Sequence, residues 1–339
     1  MSEFDPNGVG IANGNIFGFP YTETEANIVI VPIPWDATAS YGKGTSDGPE
    51  AILEASTQLD FFHPDLDRAY DTKVYMSPIS QEWKEINAHC CEQGLEYIQY
   101  LESNGEEKAL LKYQSVLDEI NSAHQALRSN LKERCLDILA QGKIPAVLGG
   151  EHSTPLGLME ALNETYEEFG VLQIDAHADL RDAYEGFSQS HASIMFNVLQ
   201  HAEHMSKLVQ VGIRDVSERE VFLSRDSNRV QTYYDWNIKN EQYAGKTWAS
   251  QVEEMIQHLP MNVYVSFDID GLKPTPNANK VLTEPLTSIR PWLGGKIPAM
   301  QRIKEDLPAP FVPITPRTWP YSTSRFTSSS KWIVKLIWI

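Results

Sequence analysis

Three short segments gather residue types that hold metal ions. GGEHS at 149–153 offers His152, DAHAD at 175–179 offers Asp175, His177 and Asp179, and FDID at 267–270 offers Asp268 and Asp270. In an extended chain, residues two apart point to the same side. Asp175, His177 and Asp179 can then converge, as can Asp268 and Asp270. Four carboxylates in one cleft repel each other unless a cation offsets their charge. An O/N donor set without thiolate suits Mn²⁺ and other borderline ions. Six donors are too many for one catalytic metal with open positions. Two metals sharing carboxylates fit better, and such a pair can hold and activate a water. Taken singly, GGEHS can be a glycine turn with a helix cap at Ser153, and FDID a strand end with capping aspartates. DAHAD is harder to explain that way, and the three together point to a metal site.

Each segment ends a predicted strand: IPAVLGG (144–150), GVLQID (170–175) and MNVYVSFDID (261–270). Two further apolar runs, ANIVIVPI (26–33) and LVQVGI (208–213), also read as strands. Helices are expected at EAILEAS after Pro49, over 112–141 with Gly142 as terminator, over 153–169, over 191–205 and near 248–258. Residues 60–110 are acidic and show no clear period. Strands alternating with helices imply an α/β fold with a mostly parallel sheet. In such sheets ligands bind beyond the carboxyl ends of the strands, where the three segments lie.

Composition narrows the partners. The chain has 339 residues, 28 Lys+Arg against 46 Asp+Glu, and a net charge of −18. That charge argues against nucleic acid and anionic membranes as partners. The opening residues lack a secretory pattern, and no run approaches the roughly 18 apolar residues of a membrane span. Three cysteines, Cys90, Cys91 and Cys135, cannot all pair within one chain, so a reducing, cytoplasmic setting is expected. The vicinal pair Cys90–Cys91 has no ligand partner in register. His201 and His204 read as a solvated helix face. Residues 275–339 differ from the rest: they hold 9 Lys+Arg and 3 Asp+Glu, with 9 of the 20 prolines and 4 of the 8 tryptophans. So many prolines forbid long helices and central strands. The expected division is a catalytic domain over 1–274 and an atypical basic, Pro/Ser/Thr-rich tail over 275–339.

From about residue 26 to 274 the sequence resembles the ureohydrolase family, which includes arginase and agmatinase. The resemblance rests on IPWDATASYGKGTSDGPEAILEAS (33–56), GGEHS, DAHADLRDAYEG and SFDIDGLKP, in the family's order. It implies a three-layer α/β/α arginase-like fold. It implies two Mn²⁺ per subunit, with Ni²⁺ as the alternative. One metal would be held by His152, Asp175, Asp179 and Asp268. The other would be held by Asp175, His177, Asp268 and Asp270, with Asp175 and Asp268 bridging. The catalytic residues implied are Asp270, which orients the attacking water, and His191 in SQSHASIM, a proton relay. Read without the family, His191 equally opens the next helix. The implied reaction cleaves a small cationic guanidino substrate to urea and an amine, with agmatine to putrescine first, as in polyamine biosynthesis. Leu180 and Arg181 stand where arginases carry an Asn that reads the amino-acid head group. Guanidine, guanidinobutyrate and arginine remain alternative substrates. A homo-oligomer, trimer or hexamer, is implied as well.

The resemblance stops after SFDIDGLKP. The family's Gly/Pro loop, its glutamate-bearing strand and its final helix have no recognisable counterpart, and Glu284 lies in no convincing strand. This suggests a frame-shifted or otherwise aberrant ending. It also keeps open a non-catalytic, metal-binding relative. A single-zinc deacetylase-like site fits less well, because DAHAD and the two aspartates of FDID supply ligands for two metals.

Overall fold

Apolar runs that alternate with helices need a sheet covered on both faces, because a parallel sheet leaves neither face to water. The computed structural model describes residues 4–40, 42–61 and 68–272 and has that build. In chain order its elements are β1 (Ile28–Ile33), α1 (Gly48–Ser56), β2 (Val74–Met76), α2 (Gln81–Asn104), α3 (Glu106–Ala140), β3 (Ile144–Gly149), α4 (Leu156–Thr165) and β4 (Phe169–Ile174). There follow α5 (Ile194–His201), β5 (Met205–Ile213), α6 (Glu218–Asp226), β6 (Val230–Tyr234), α7 (Asp235–Tyr243), α8 (Trp248–Ile256) and β7 (Val263–Phe267). The strands form two parallel sheets, ordered β2-β1-β3 and β6-β5-β4-β7.

Alternation along each strand assigns the layers. Val171, Leu208, Val230 and Tyr264 face one way and pack with Leu127 and Leu131 of α3, Leu158 and Leu162 of α4 and Val198 of α5. Val29, Val31 and Val147 join the same core, so one helical layer covers both sheets. On the opposite face, Val263, Val265 and Phe267 pack on Trp248, while Val209 and Val211 pack on Ile238 and Met255. The result is helix, sheet, helix. In α3, Leu117, Ile120, His124, Leu127, Leu131, Cys135 and Ile138 are buried. Their steps of three and four make one helical stripe, with His124 as its polar member.

The largest departure from expectation is residues 60–110. They contain β2 and the 24-residue helix α2, joined to α3 through Gly105 at φ 84°. The Ser80 side chain caps α2 by accepting from Trp83 N at 3.2 Å. The buried positions of α2 are Asn87, Cys90, Gly94, Tyr97 and Ile98. Helical spacing is present, but small and polar residues fill it, so no apolar period is visible. Strand β6 and helices α6 and α7 were also not expected: each buries a single residue, Val230, Glu220 and Ile238 respectively, too few to show a period. Two expected helices are shorter: α4 stops at Thr165 because Phe169 begins β4, and α5 stops at His201 because Met205 begins β5. Among the described residues no helix is long and apolar enough to cross a membrane. The expected tail over 275–339 and Glu284 lie outside the described residues.

Candidate metal centre

The turns that follow β3, β4 and β7 meet, and each is locked by its own hydrogen bonds. After β3, Gly150 crosses the end of β1 so closely that an added Cβ would lie 1.9 Å from the Trp35 carbonyl. The buried Glu151 carboxylate accepts from Ser153 N at 2.8 Å and from Thr38 Oγ1 at 2.7 Å, which fixes the turn that carries His152. After β4, Asp175 accepts from His177 N at 2.7 Å and from Gln173 Nε2 at 2.8 Å. Asp179 sits at φ 54°, a left-handed conformation that Asp tolerates better than most residues. Its carbonyl accepts from Met195 N and Phe196 N, so the first turn of α5 holds it there. After β7, the chain enters a 3₁₀ turn over Ile269–Gly271. Asp268 accepts from Asp270 N at 2.9 Å, and Asp270 accepts from Ala176 N at 3.1 Å. The expected convergence is present, but turns produce it, not extended strands.

Two donor groups result. In the first, His152 Nδ1 lies 2.9 Å from Asp175 Oδ2 and 2.8 Å from Asp179 Oδ2. In the second, His177 Nδ1 lies 2.9 Å from Asp270 Oδ2 and 3.7 Å from Asp175 Oδ1. Either group could hold a metal ion, and Asp175 belongs to both, one oxygen to each. Asp268 stands beside the first group, 3.4 Å from His152 Nδ1, and belongs to neither. The first group is buried, whereas His177 and Asp270 are exposed. His152 Nδ1 is buried and not aligned for a hydrogen bond to any carboxylate, despite its short distances. An imidazole lone pair converging with carboxylate oxygens fits a divalent cation better than it fits a hydrogen-bond network.

Charge in the cluster is strongly redistributed. Burial pushes Asp179 up to about 7, helped by the Asp175 charge. Burial, then Asp175 and Asp270, push Asp268 well above the usual range. Burial also works against the Asp175 carboxylate, but the adjacent His152 and His177 imidazoles and the His177 N–H outweigh it and hold its pKa low. His177 is raised to about 11 by Asp175 and then Asp270. The cluster has more carboxylates than its imidazoles can neutralise, the condition that attracts cations.

His191 is in neither group. Its Nδ1 lies 3.1 Å from the Thr38 carbonyl and its Nε2 3.5 Å from Ser40 Oγ. A proton on Nδ1 donated to that carbonyl leaves Nε2 free to accept one. Burial lowers the His191 pKa, so the ring is neutral near pH 7. It opens a 3₁₀ turn ahead of α5, as the reading without the family expects. Three further contributors were missed in the sequence. Arg214 at the end of β5 donates to the carbonyls of Gly271 and Leu272, each at 3.3 Å, and clamps the turn after β7. Gln173 and Gln210 are wholly buried within β4 and β5. A glutamine inside an apolar strand was the available signal, because buried polar residues are the informative exceptions. His201, His204 and the cysteines take no part, and Cys91 donates to Asp36 Oδ1 at 3.1 Å.

The arginase family model matches residues 26–277, about three quarters of the chain. The chain belongs to the arginase family. It is a metal-dependent hydrolase of linear amidine C–N bonds, with a dinuclear centre as its family's character. This arginase-family chain is 30% identical over 251 residues to the N(1)-aminopropylagmatine ureohydrolase of Synechocystis sp., covering 74% of this chain and 69% of that one. The enzyme of the same name from Thermus thermophilus is 30% identical over 256 residues, covering 76% and 71%. Among solved structures, the agmatine ureohydrolase of Thermoplasma volcanium superposes with a TM-score of 0.53 at 22% identity, over 75% of this chain and 71% of that one. The formiminoglutamase of Trypanosoma cruzi with two Mn²⁺ gives 0.53 at 18% identity, over 76% and 74%. At these identities the superpositions establish the arginase fold alone.

Proposed function

We propose that this chain hydrolyses agmatine or an N-substituted agmatine to urea and an amine, at two Mn²⁺-class ions. His152, Asp175 and Asp179 would hold one ion and His177, Asp270 and Asp175 the other, with Asp268 at hand beside the first group. The observation that carries this is Asp175, whose two oxygens face two separate His/Asp groups 2.9 and 3.7 Å away. When bound, the metal pair would supply a water of lowered pKa and stabilise the charge on its oxygen as that oxygen adds to the guanidino carbon. The chain's own groups do the rest. Asp270 orients the attacking water and takes its proton. His191 Nε2, neutral at working pH, carries a proton between solvent and the leaving amine. The net charge of −18 steers a cationic substrate. Leu180 and Arg181 provide no amide to read an amino-acid head group, and the aminopropylagmatine and agmatine relatives support the same substrate class. A cytoplasmic homo-oligomer within polyamine synthesis fits this reading.

The test is urea release from agmatine, N(1)-aminopropylagmatine, guanidinobutyrate, arginine and guanidine after loading with Mn²⁺ or Ni²⁺, alongside elemental analysis. Two metals per chain and preference for an agmatine are expected. One tightly held zinc with no second site would overturn the dinuclear reading. Two metals without urea from any of the five would favour the non-catalytic relative.

A further inference from the structure

One row of side chains crosses the whole four-stranded sheet at a single register. Thr232 of β6 pairs with Gln210 of β5, Gln210 with Gln173 of β4, and Gln173 with Ser266 of β7. All four are polar, although the row lies inside the molecule and Gln210, Gln173 and Ser266 are fully buried. Thr232 Oγ1 donates to Gln210 Oε1 at 2.8 Å. Gln210 Nε2 donates to Gln173 Oε1 at 2.7 Å and to the Ala178 carbonyl at 2.7 Å. Gln173 Nε2 donates to Asp175 Oδ2 at 2.8 Å and to the His177 carbonyl at 3.2 Å. Ser266 Oγ lies 2.7 Å from His152 Nε2. Both hydrogens of both amides are used, and each amide oxygen has a donor, Thr232 for Gln210 and Gln210 for Gln173.

The direction of the row follows from its partners. The Ala178 and His177 carbonyls and the ionised Asp175 can only accept, so each amide nitrogen must face the turn 175–179. The donors of Thr232, Gln210 and Gln173 therefore run from the sheet edge toward Asp175, and each bond polarises the next. At the other end, a proton on His152 Nε2 donated to Ser266 leaves Nδ1 as the lone pair that faces the carboxylates. Leucine or valine at these positions would avoid burying two amides, as at Val171 two residues earlier on the same face. The amides orient what lies above them.

We propose that Thr232, Gln210, Gln173 and Ser266 form a positioning row that sets the Asp175 carboxylate and the His152 tautomer for the two-metal site. None of the four touches a metal or the substrate. The inference rests on the metal reading proposed above, and it adds residues up to two strands away from the nearest ligand. Outer partners of metal ligands are typically worth about 10–100-fold in affinity.

The experiment measures Mn²⁺ affinity of the full chain by calorimetric titration, with the thermal transition of the metal-free protein beside it. Gln210→Met keeps the shape of the side chain and touches no ligand. It is expected to weaken Mn²⁺ binding by about 10-fold or more. Thr232→Val, a milder change that tests the row if Gln210→Met does not fold, is expected to weaken it a few-fold. The double variant Gln173→Met/Gln210→Met is expected to lose little beyond Gln173→Met alone, since the row acts as a unit. Val171→Ala, which opens a cavity beside the row, is expected to lower the transition temperature with unchanged Mn²⁺ affinity. Wild-type affinity in Gln210→Met and Thr232→Val, or an equal affinity loss in Val171→Ala, would overturn the row and leave the metal reading standing. No Mn²⁺ uptake by the wild type would overturn both.

Discussion

Asp175 concentrates the consequences of the site in one side chain. It is fully buried, and its oxygens face both donor groups. Asp175→Ala should remove both metals, and with them essentially all urea release. His191→Ala should keep the metals and lower kcat by about 100-fold, the lower range for a lost proton carrier. Small imidazole-like buffers should restore part of that rate. Equal residual rates and equal metal loss in the two variants would contradict the division of roles. A second residue-scale effect concerns His124, buried between Ser153 Oγ at 3.1 Å and the Gln189 carbonyl at 3.1 Å. Burial lowers its pKa in the folded chain. The unfolded chain then takes up the proton first, so this contribution to stability is complete above about pH 6.5 and declines as pH falls below that. In the metal-free protein, His124→Gln should make the fall of transition temperature with acid shallower than in the wild type. An unchanged slope would show that His124 is not responsible.

The helical hairpin α2–α3 acts as a buttress for the segment that delivers His191. Tyr97 of α2 donates to the Glu185 carbonyl at 2.8 Å. Asn121 of α3 accepts from Ser188 N at 3.0 Å, and His124 and Gln125 contact Gln189. Glu185 itself is held at φ 55°, and Phe187 is buried against the hairpin. Residues 185–189 are thus tied to helices while they span the distance from Asp179 to His191. Asn121→Ala removes bonds worth about 1 kcal/mol net and should leave metal content intact. Its expected signature is a lower kcat with unchanged Mn²⁺ stoichiometry, read by urea release and elemental analysis. Full activity with the same loss of stability would make the hairpin a structural support only. The thiols on this hairpin are inert by comparison: burial pushes Cys90 up to about 11, far from a reactive thiolate.

At the scale of the whole molecule, the two sheets share one helical layer, yet no strand pair links them among the described residues. Among the described residues no strand pairs with the sides of β3 and β7 nearest the candidate metals, where His152 from one reaches Ser266 of the other. A parallel edge left without a partner strand invites association. Every candidate ligand precedes residue 273, while the sequence over 275–339, basic and proline-rich, offers no recognisable match to the glutamate-bearing segment that the resemblance implies. Replacing 275–339 with the matching segment of an agmatinase relative should therefore raise soluble yield and urea release from agmatine. Full activity of the unaltered chain, with no gain on replacement, would establish the present ending as competent.

The candidate ligand set stands out in the sequence because metal chemistry restricts residue type. His152, Asp175, His177, Asp179, Asp268 and Asp270 announce themselves by type and by their places at strand ends. The strands that carry them were legible because a doubly covered parallel strand is almost wholly apolar. Helix α2 was hidden, since its buried stripe is built from Asn87, Cys90 and Gly94. What the tertiary structure alone decided is geometry across the sheet. The split of Asp175 between two groups, the placement of Asp268 beside one of them and the left-handed turn at Asp179 depend on three turns meeting. Gln173 and Gln210 are separated by 37 residues in the chain, and only the register of β4 against β5 brings their amides within 2.7 Å. Local sequence sets which side chains are present and which way alternate residues point. Strand register, a property of two segments at once, decides which of them touch.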